Sequence, residues 1–224
     1  MTENKFRGFT LSETLITLTV IGIAAVLVIP SLIRNTTNKS RIALLQNTVS
    51  NIGNMVQSEM ARERAQSVND FLSDTQDFLE KFDTVINGKS FASSYAAINS
   101  NTSYSPEMDA SVQLKNGTGL GIILDEDDDF SYYTIVIDVN GIEAPNKIGI
   151  DYFELKLYYD NDFVEGIHSG DIGSFTMDDL GLEKLSEVYS TCLAGGADGA
   201  KACYKLVELS GFDPEYLEKD YSDD

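Results

Sequence analysis

The sequence predicts an α+β fold in which one long N-terminal helix packs against a small antiparallel sheet. Residues 9–33 hold a single ionisable side chain, Glu13, so the chain begins with a long apolar segment. Apolar residues then recur every three or four positions as far as Met60, which is the period of an amphipathic helix. The second half holds four short segments with the alternation that is typical of strands.

The apolar segment, residues 9–33, is long enough to cross a membrane. As a helix it extends roughly 37 Å, more than the ~30 Å thickness of the hydrocarbon core. The uncharged run between Glu13 and Pro30 reaches only about 24 Å, which is short for a span. A carboxylate costs ~2.5–3.5 kcal/mol at the centre of a membrane helix, so Glu13 is expected to have a functional partner.

Residues 1–8 form a leader with two basic side chains that favour the cytoplasmic side of the membrane. If a peptidase cuts between Gly8 and Phe9, the new α-amino group is mostly cationic near neutral pH. That amine lies four residues before Glu13. It can approach the carboxylate of its own chain, or dock on Glu13 of a neighbouring chain and so specify a stagger between the two chains.

These residues, Arg-Gly-Phe-Thr-Leu-Ser-Glu at 7–13 with the apolar run behind them, closely resemble the class III signal of type IV pilins and type II secretion pseudopilins. In that family a prepilin peptidase cuts after the glycine and N-methylates the new first residue, and the glutamate guides assembly. The resemblance implies cleavage between Gly8 and Phe9, methylation of Phe9 and an assembly role for Glu13. Pro30 also lies where many pilins carry a helix-kinking proline.

The resemblance also implies partners and a location. The partners are the prepilin peptidase, other pilin or pseudopilin subunits, an inner-membrane assembly platform and the lipid bilayer. The location is a single pass through the inner membrane with the globular part outside the cytoplasm, and a periplasmic or cell-surface filament after assembly. Pilus, type II secretion and DNA-uptake machines share this signal, so the sequence does not choose between them.

Three other interpretations of the N-terminus remain open at this point. A Sec signal peptide also has a basic start, and Gly22-Ile23-Ala24 fits a small-x-small cleavage site, although the apolar run continues to Ile29 and Glu13 interrupts it. An ordinary membrane anchor leaves the arrangement of Gly8 and Glu13 unexplained. A membrane-tethered interaction domain, with or without calcium, would use the same signal without polymerising.

The chain divides into four parts in this prediction. They are a leader (1–8), a membrane and assembly helix (9–33), its amphipathic continuation (34–64) and an acidic α+β head (65–224). The continuation presents one apolar stripe, made by Ile42, Leu45, Val49, Ile52, Val56 and Met60.

Within the head, a capping-box pattern at Ser67–Asp70 predicts a helix over about 68–82, and residues 87–108 are expected to form a loop. A second capping box at 176–179 predicts a helix near 178–190. Strands are expected at 111–114, 120–124, 132–139 and 152–159, arranged as an antiparallel meander.

Two cysteines, Cys192 and Cys203, flank the Gly- and Ala-rich stretch LAGGADGAKA, which is expected to form a loop. Outside the cytoplasm a disulfide is favoured over two buried reduced thiols, and closing a loop near this size contributes about 3 kcal/mol. Both states are compatible with the sequence alone. The pilin resemblance favours the disulfide, since many pilins pin a C-terminal surface loop in this way.

The charge is distributed unevenly. The chain has 36 acidic and 16 basic residues and a net charge of −20. Residues 1–64 hold seven bases and four acids, which leaves −23 on residues 65–224. Phosphate recognition uses clusters of Lys and Arg, so no nucleic-acid partner is expected. With two cysteines and one histidine, His168, no zinc site is expected, and the absence of catalytic motifs predicts no enzymatic activity.

Two acidic stretches are considered as candidate metal sites. The run at 125–129 is expected to be a solvated turn. In the second stretch Asp138 and Asn140 alternate before a glycine and Asp151 follows, an oxygen-rich pattern that suits calcium. The Asn140-Gly141 pair is also a hairpin signal that needs no ion. Some pseudopilins bind calcium in a loop of this region, and the three candidate ligands here are Asp138, Asn140 and Asp151. No cofactor is required by the fold.

Overall fold

A computed structural model of the chain confirms the predicted α+β class, with a long N-terminal helix followed by a small antiparallel sheet. The cleavage site at Gly8 and Phe9 and the acidic run at 125–129 lie outside the described residues. The structure describes residues 10–72, 74–82, 84–87, 95–96, 103–124, 132–159 and 168–221.

The first helix, α1 (Leu11–Glu63), is 53 residues long and runs without interruption through Pro30. It starts at Thr10, whose backbone is extended and whose side chain caps the first turn. It ends at Arg64, which takes the left-handed conformation at φ 54° and donates its backbone N–H to the carbonyl of Met60. The predicted boundary between a membrane part and an amphipathic part of this helix remains a prediction.

The second half of α1 joins the hydrophobic core of the head through one stripe. Its buried residues are Ile42, Leu45, Thr48, Ile52, Val56 and Glu59. The sequence predicted Val49 and Met60 in this stripe, and the structure leaves both partly buried. Glu59 can be buried instead of Met60 because Lys81 donates a hydrogen bond to its carboxylate and forms an ion pair with it.

Eight strands follow in the described residues. They are β1 (Thr84–Asn87), β2 (Tyr95–Ala96), β3 (Ser103–Tyr104), β4 (Ala110–Leu114), β5 (Gly119–Ile123), β6 (Tyr132–Asp138), β7 (Tyr152–Tyr158) and β8 (Ile172–Gly173). The main sheet has the order β1-β4-β5-β6-β7-β8, and its four central strands are the predicted antiparallel meander. The edge strands β1 and β8 and the separate β2–β3 pair were not predicted, and β2 and β3 lie in the segment expected to be a loop.

The longest pairing in the sheet joins β6 to β7, from Tyr132 opposite Tyr158 to Asp138 opposite Tyr152. Every residue of β7 is buried, which is expected for a strand covered on both faces. Consequently the alternating polar residues of β7, including Glu154, are enclosed in the interior.

The prediction of one continuous helix over 68–82 is wrong, because the helix is interrupted in the middle of this range. The structure has a single 3₁₀ turn at Val68–Asp70 and then a short helix, α2 (Thr75–Glu80). The Asp70 carboxylate accepts hydrogen bonds from the backbone N–H groups of Gln66 and Ser67. These two bonds close a single turn and do not extend it into a helix. Asp74 then caps a new helix by accepting from the backbone of Asp77.

The helix predicted near 178–190 also starts later than expected. The capping box forms as predicted, since Thr176 and Asp179 exchange hydrogen bonds. It leads only into a 3₁₀ turn at Asp178–Leu180, because Gly181 takes the left-handed conformation at φ 64° and ends it.

The Gly- and Ala-rich stretch was predicted to be a loop, and this was wrong. It joins two helices, α3 (Leu185–Ala194) and α4 (Gly196–Leu209), at a tight turn where Gly195 has φ 76°. A disulfide links Cys192 of α3 to Cys203 of α4, as predicted, and both residues are fully buried. Helix α4 lies against β7 and covers the sheet there.

Candidate functional site

The start of α1 is held by a capping box made by Thr10 and Glu13. The Glu13 backbone N–H donates to the Thr10 hydroxyl at 3.2 Å. In return, the carboxylate Oε2 of Glu13 accepts from the Thr10 backbone N–H at 2.8 Å and from its hydroxyl at 2.9 Å. The predicted assembly residue therefore also caps its own helix. Sequence reasoning missed this role, although Thr-x-x-Glu is a recognisable capping-box pattern.

The first part of α1 exposes an almost uninterrupted apolar surface. Leu11, Val26 and Leu27 are each more than 70% exposed, and the large apolar side chains between Leu11 and Ile33 are exposed throughout. Among the described residues α1 is the one helix that is long and apolar enough to cross a membrane, by length and composition. Such a surface is typical of a helix that contacts lipid or other apolar helices.

The threonines of this apolar segment satisfy their hydroxyl groups within the helix. The hydroxyls of Thr14, Thr17 and Thr19 each donate to a backbone carbonyl three or four residues earlier, at 2.8–2.9 Å. These groups need no partner in lipid or in a neighbouring helix. Glu13 remains the ionisable side chain of the segment, and its carboxylate can accept further hydrogen bonds.

The apolar surface ends at Arg34, where α1 meets the C-terminal segment. The Arg34 guanidinium donates to the Glu218 carboxylate at 2.8 Å. Both side chains are more than half exposed, so this ion pair contributes roughly 0–1 kcal/mol at most. A cavity of about 390 Å³ lies beside it, lined in part by Arg41, Lys147 and Tyr216.

The three calcium candidates lie at the two ends of one loop. Asp138 is the last residue of β6, Asp151 immediately precedes β7, and neither has solvent exposure. The loop is closed by a 2.7 Å hydrogen bond from the Val139 N–H to the Asp151 carbonyl. Because it spans residues 139–151, a two-residue hairpin turn at Asn140 does not explain it.

Asparagine side chains contribute further oxygens to this loop. The Asn140 side-chain N–H group donates to the Ala144 carbonyl at 3.1 Å, so its Oδ1 points away from that contact. Oδ1 of Asn140 and Oδ1 of Asn146 are both buried, and neither has a hydrogen-bond partner in the described part of the chain. Sequence reasoning missed Asn146, because only the folded loop shows that its oxygen is buried.

The Asp151 carboxylate accepts hydrogen bonds from the backbone N–H groups of Asn146 at 3.0 Å and Lys147 at 2.6 Å. Burial nevertheless raises the pKa of Asp151 to about 6, because desolvation outweighs these hydrogen bonds and the nearby charge of Arg41. Within the described residues, no group of three or more His, Cys, Asp or Glu side chains could hold a metal ion. A cation at this loop would therefore need the amide oxygens as well as the two carboxylates.

Two other buried polar groups of the head lie on β7. Glu154 is buried on β7 and accepts a hydrogen bond from the Tyr152 hydroxyl at 2.7 Å. Lys156, two residues further, is paired with Asp179 and lies over the Tyr132 ring. The histidine considered at the sequence level, His168, is exposed.

A protein-family model described as the prokaryotic N-terminal methylation motif matches residues 4–29. No curated protein and no solved structure matches the chain. The matched residues include Gly8, Phe9 and the capping box at Thr10 and Glu13. The motif implies processing by prepilin peptidase and assembly with other pilin subunits, and together with the apolar helix it indicates membrane anchoring of a globular domain. The chain therefore carries the class III signal, which is consistent with a type IV pilin or pseudopilin.

Proposed function

We propose that this protein is a structural subunit of a type IV pilus-like filament or pseudopilus. In this proposal a prepilin peptidase cuts between Gly8 and Phe9, and the mature subunit polymerises through α1. The observation that carries the proposal is the exposed apolar surface of α1 with one carboxylate, Glu13, at its start. The methylation motif at residues 4–29 supports it.

The capping box lowers the free-energy cost of holding the Glu13 carboxylate near the membrane before assembly. In the isolated subunit, Thr10 supplies two hydrogen-bond donors to Glu13. These bonds offset part of the cost of holding a carboxylate near the membrane interface. The carboxylate keeps lone pairs that a further donor can use.

The cationic amine of a neighbouring Phe9 is a stronger partner than the neutral Thr10 donors, because the amine and the carboxylate attract each other as full charges in a medium that screens them little. An amine docked on Glu13 of the previous subunit fixes the axial offset between the two helices. The pairing therefore supplies the register of the filament.

The apolar surface of α1 supplies contact area without selecting a partner. Lipid tails are as apolar as the side chains between Leu11 and Ile33, so moving the helix from lipid into a helix bundle gains little hydrophobic free energy. Van der Waals packing and the polar contact at Glu13 must then favour the assembled state. The head and its charge remain outside this bundle.

The test is the substitution Glu13→Ala in cells that contain the assembly machine. We expect the variant to be processed and inserted in the membrane at normal levels but to be lost from sheared or pelleted filaments. Mass spectrometry of the mature protein and the filament fraction measure the two outcomes. Glu63→Ala, which removes an exposed acid paired with Arg62 at the other end of α1, is the matched control and should assemble normally.

Normal incorporation of Glu13→Ala into filaments would contradict the proposed pairing. A wild-type protein that is processed but never found in filaments would favour the second candidate, a membrane-tethered interaction domain. The partners proposed here are the prepilin peptidase, sister subunits and an inner-membrane platform, with the head outside the cytoplasm.

A further inference from the structure

Three basic side chains line one open cavity of the head, close to the point where the apolar surface of α1 ends. They are Arg34 and Arg41 of α1 and Lys147 of the loop between β6 and β7. We propose that this cavity binds the headgroup of an anionic phospholipid, with the phosphate held by Arg41 and Lys147. The inference rests on membrane anchoring through α1 and is independent of whether the subunit polymerises.

The position of the cavity follows from α1. The exposed apolar side chains end at Ile33, and the next two turns contribute Arg34, Asn38 and Arg41 to the cavity wall. At about 1.5 Å per residue, Arg41 lies roughly 12 Å beyond Ile33, and its side chain leans toward the N-terminus of the helix and so toward the membrane. With the hydrocarbon core ending near Ile33, a polar layer roughly 5–7 Å thick places the headgroups at the level of Arg34, beside the cavity.

Two of these bases are not neutralised within the head. Arg41 and Lys147 are half-buried, and within the described residues neither has an ion pair or a side-chain hydrogen bond. The buried carboxylate of Asp151 attracts Arg41 through space, but its own hydrogen bonds come from backbone N–H groups. A guanidinium and an ammonium group that line one cavity suit a phosphate, because its oxygens accept charge-assisted hydrogen bonds from both.

The acids around the cavity leave its wall positive. Among the described residues that line it, Glu218 is the one acid, and it is paired with Arg34 at 2.8 Å. Two more acids of the C-terminal segment lie nearby: Glu215 lines a neighbouring cavity, and Asp213 is paired with a lysine at 3.0 Å. The wall thus holds three bases and one acid, whereas the head as a whole carries −23. An anionic membrane repels most of such a head and attracts this part of it.

The other walls of the cavity suit the part of a lipid that adjoins its phosphate. Apolar side chains of α1, α3 and the C-terminal segment lie beside the bases, among them Ile42, Leu193 and Leu217. Tyr189 and Tyr216 also line the cavity, and aromatic side chains with a polar end are typical of membrane interfaces. The volume of about 390 Å³ lies within the range of small-molecule sites, roughly 300–1,000 Å³. Because a free phosphate has no apolar part, these walls favour a phospholipid.

The experiment uses the full chain, purified in a nonionic detergent and incubated with phosphatidylglycerol or with phosphatidylcholine of the same acyl chains. Native mass spectrometry counts the lipids that each protein molecule retains. We expect one saturable phosphatidylglycerol and an affinity for phosphatidylcholine at least fivefold weaker, because one base near an anionic lipid is worth roughly a fivefold change in affinity. Added salt should weaken the retention of phosphatidylglycerol, since the contact is ionic.

Two variants each remove one base from the cavity. Arg41→Gln and Lys147→Gln should each lower the affinity for phosphatidylglycerol roughly fivefold and leave the affinity for phosphatidylcholine unchanged. Lys201→Gln is the matched control, because Lys201 is also half-buried but lies over the Phe175 ring, away from the cavity lining. It should retain phosphatidylglycerol as the unmodified protein does. If Arg41→Gln does not fold, Lys147→Gln decides the outcome, because it removes one charge from a loop.

Equal retention of the two lipids would overturn the proposal, and so would an unchanged affinity for phosphatidylglycerol in Arg41→Gln and Lys147→Gln. Displacement of the lipid by an equal concentration of inorganic phosphate would overturn the assignment to a lipid and make the cavity a site for free phosphate. These outcomes are separate from the proposed pairing of Glu13, because the assembly test measures filaments and this one measures lipid on the isolated chain.

Discussion

The Glu13 carboxylate accepts hydrogen bonds from both the backbone N–H and the hydroxyl of Thr10, at 2.8 and 2.9 Å. The residue to which the proposed function assigns assembly is thus also the acidic partner of a capping box in its own chain. Under the proposed function, an incoming amine would meet a carboxylate that Thr10 already orients at the first turn of α1. The proposal therefore assigns capping and assembly to one side chain.

Removing the Thr10 hydroxyl separates these two roles. Thr10→Val keeps the branched shape of the side chain but loses both hydroxyl contacts with Glu13, so we expect the first turn of α1 to lose about 1 kcal/mol of stability. Hydrogen exchange of the backbone amides in that turn should accelerate roughly fivefold. The measurement is exchange mass spectrometry of the full chain in detergent.

Thr19→Val is the control for this experiment, because the Thr19 hydroxyl donates to the Leu15 carbonyl in the middle of the segment. It should leave exchange in the first turn unchanged. Equal exchange rates for Thr10→Val and the unmodified protein would show that the capping box does not stabilise the turn in solution.

The cleavage site is tested by a second pair of variants. Gly8→Leu should leave the protein at its precursor mass in cells that express a prepilin peptidase, because the residue before the cut is changed. Gly22→Leu should be trimmed normally, since a Cβ at Gly22 meets no atom within 4 Å and the residue lies mid-helix. Intact-mass spectrometry reads both results. Normal trimming of Gly8→Leu, or a block in Gly22→Leu, would instead favour cleavage near Ala24 by a Sec-type peptidase.

The sequence allowed the central sheet to be predicted because its signal is local. In β6, Tyr133, Ile135 and Ile137 alternate with the residues between them, and this period of two persists whatever lies around the strand. The capping boxes at Ser67 and Thr176 were also identified correctly as local hydrogen bonds. They predicted helices of the wrong length, because a cap determines where a helix starts and not how far it continues.

The features that sequence reasoning missed depend on tertiary contacts. Helix α4 begins in a stretch whose glycines favour a loop, but Ala202 and Cys203 are fully buried in the core that it shares with β7, and this burial outweighs the low propensity. In the loop after β6, Asn146 appears as one more turn residue. Its unsatisfied oxygen exists only once the loop has closed on Asp151.

The disulfide between Cys192 and Cys203 should dominate the local stability of the α3–α4 pair. In the chain-entropy model it contributes about 3 kcal/mol. We expect alkylation of the unreduced protein to modify no cysteine, and reduction to lower the urea midpoint of unfolding. Mass spectrometry and urea titration measure these outcomes. Two alkylatable thiols in protein isolated without reductant, or an unchanged midpoint after complete reduction, would contradict the prediction.

Glu154 should make the head less stable as the pH rises through a window just above 4.5. Burial raises the pKa of Glu154 to about 6, above its ordinary value of 4.5, since desolvation outweighs the hydrogen bond from Tyr152. Between these values the folded protein binds more protons than the unfolded chain, so the free energy of unfolding falls with increasing pH. The full penalty, about 2 kcal/mol, is present above pH 6 and absent below pH 4.5.

Glu154→Gln removes this titration. The difference in unfolding free energy between the variant and the unmodified protein should therefore rise in favour of the variant by about 2 kcal/mol from pH 4 to pH 7. Urea titrations at a series of pH values measure it. Glu187→Gln is a control in which the stability difference should change with pH in the opposite direction, because backbone hydrogen bonds from Glu183 and Lys184 lower the pKa of Glu187. Glu187 thus stabilises the fold at neutral pH, and its contribution is lost as the pH falls. If the stability difference for Glu154→Gln does not change with pH, Glu154 keeps its ordinary pKa in the folded protein, and its burial must be compensated by a positive charge.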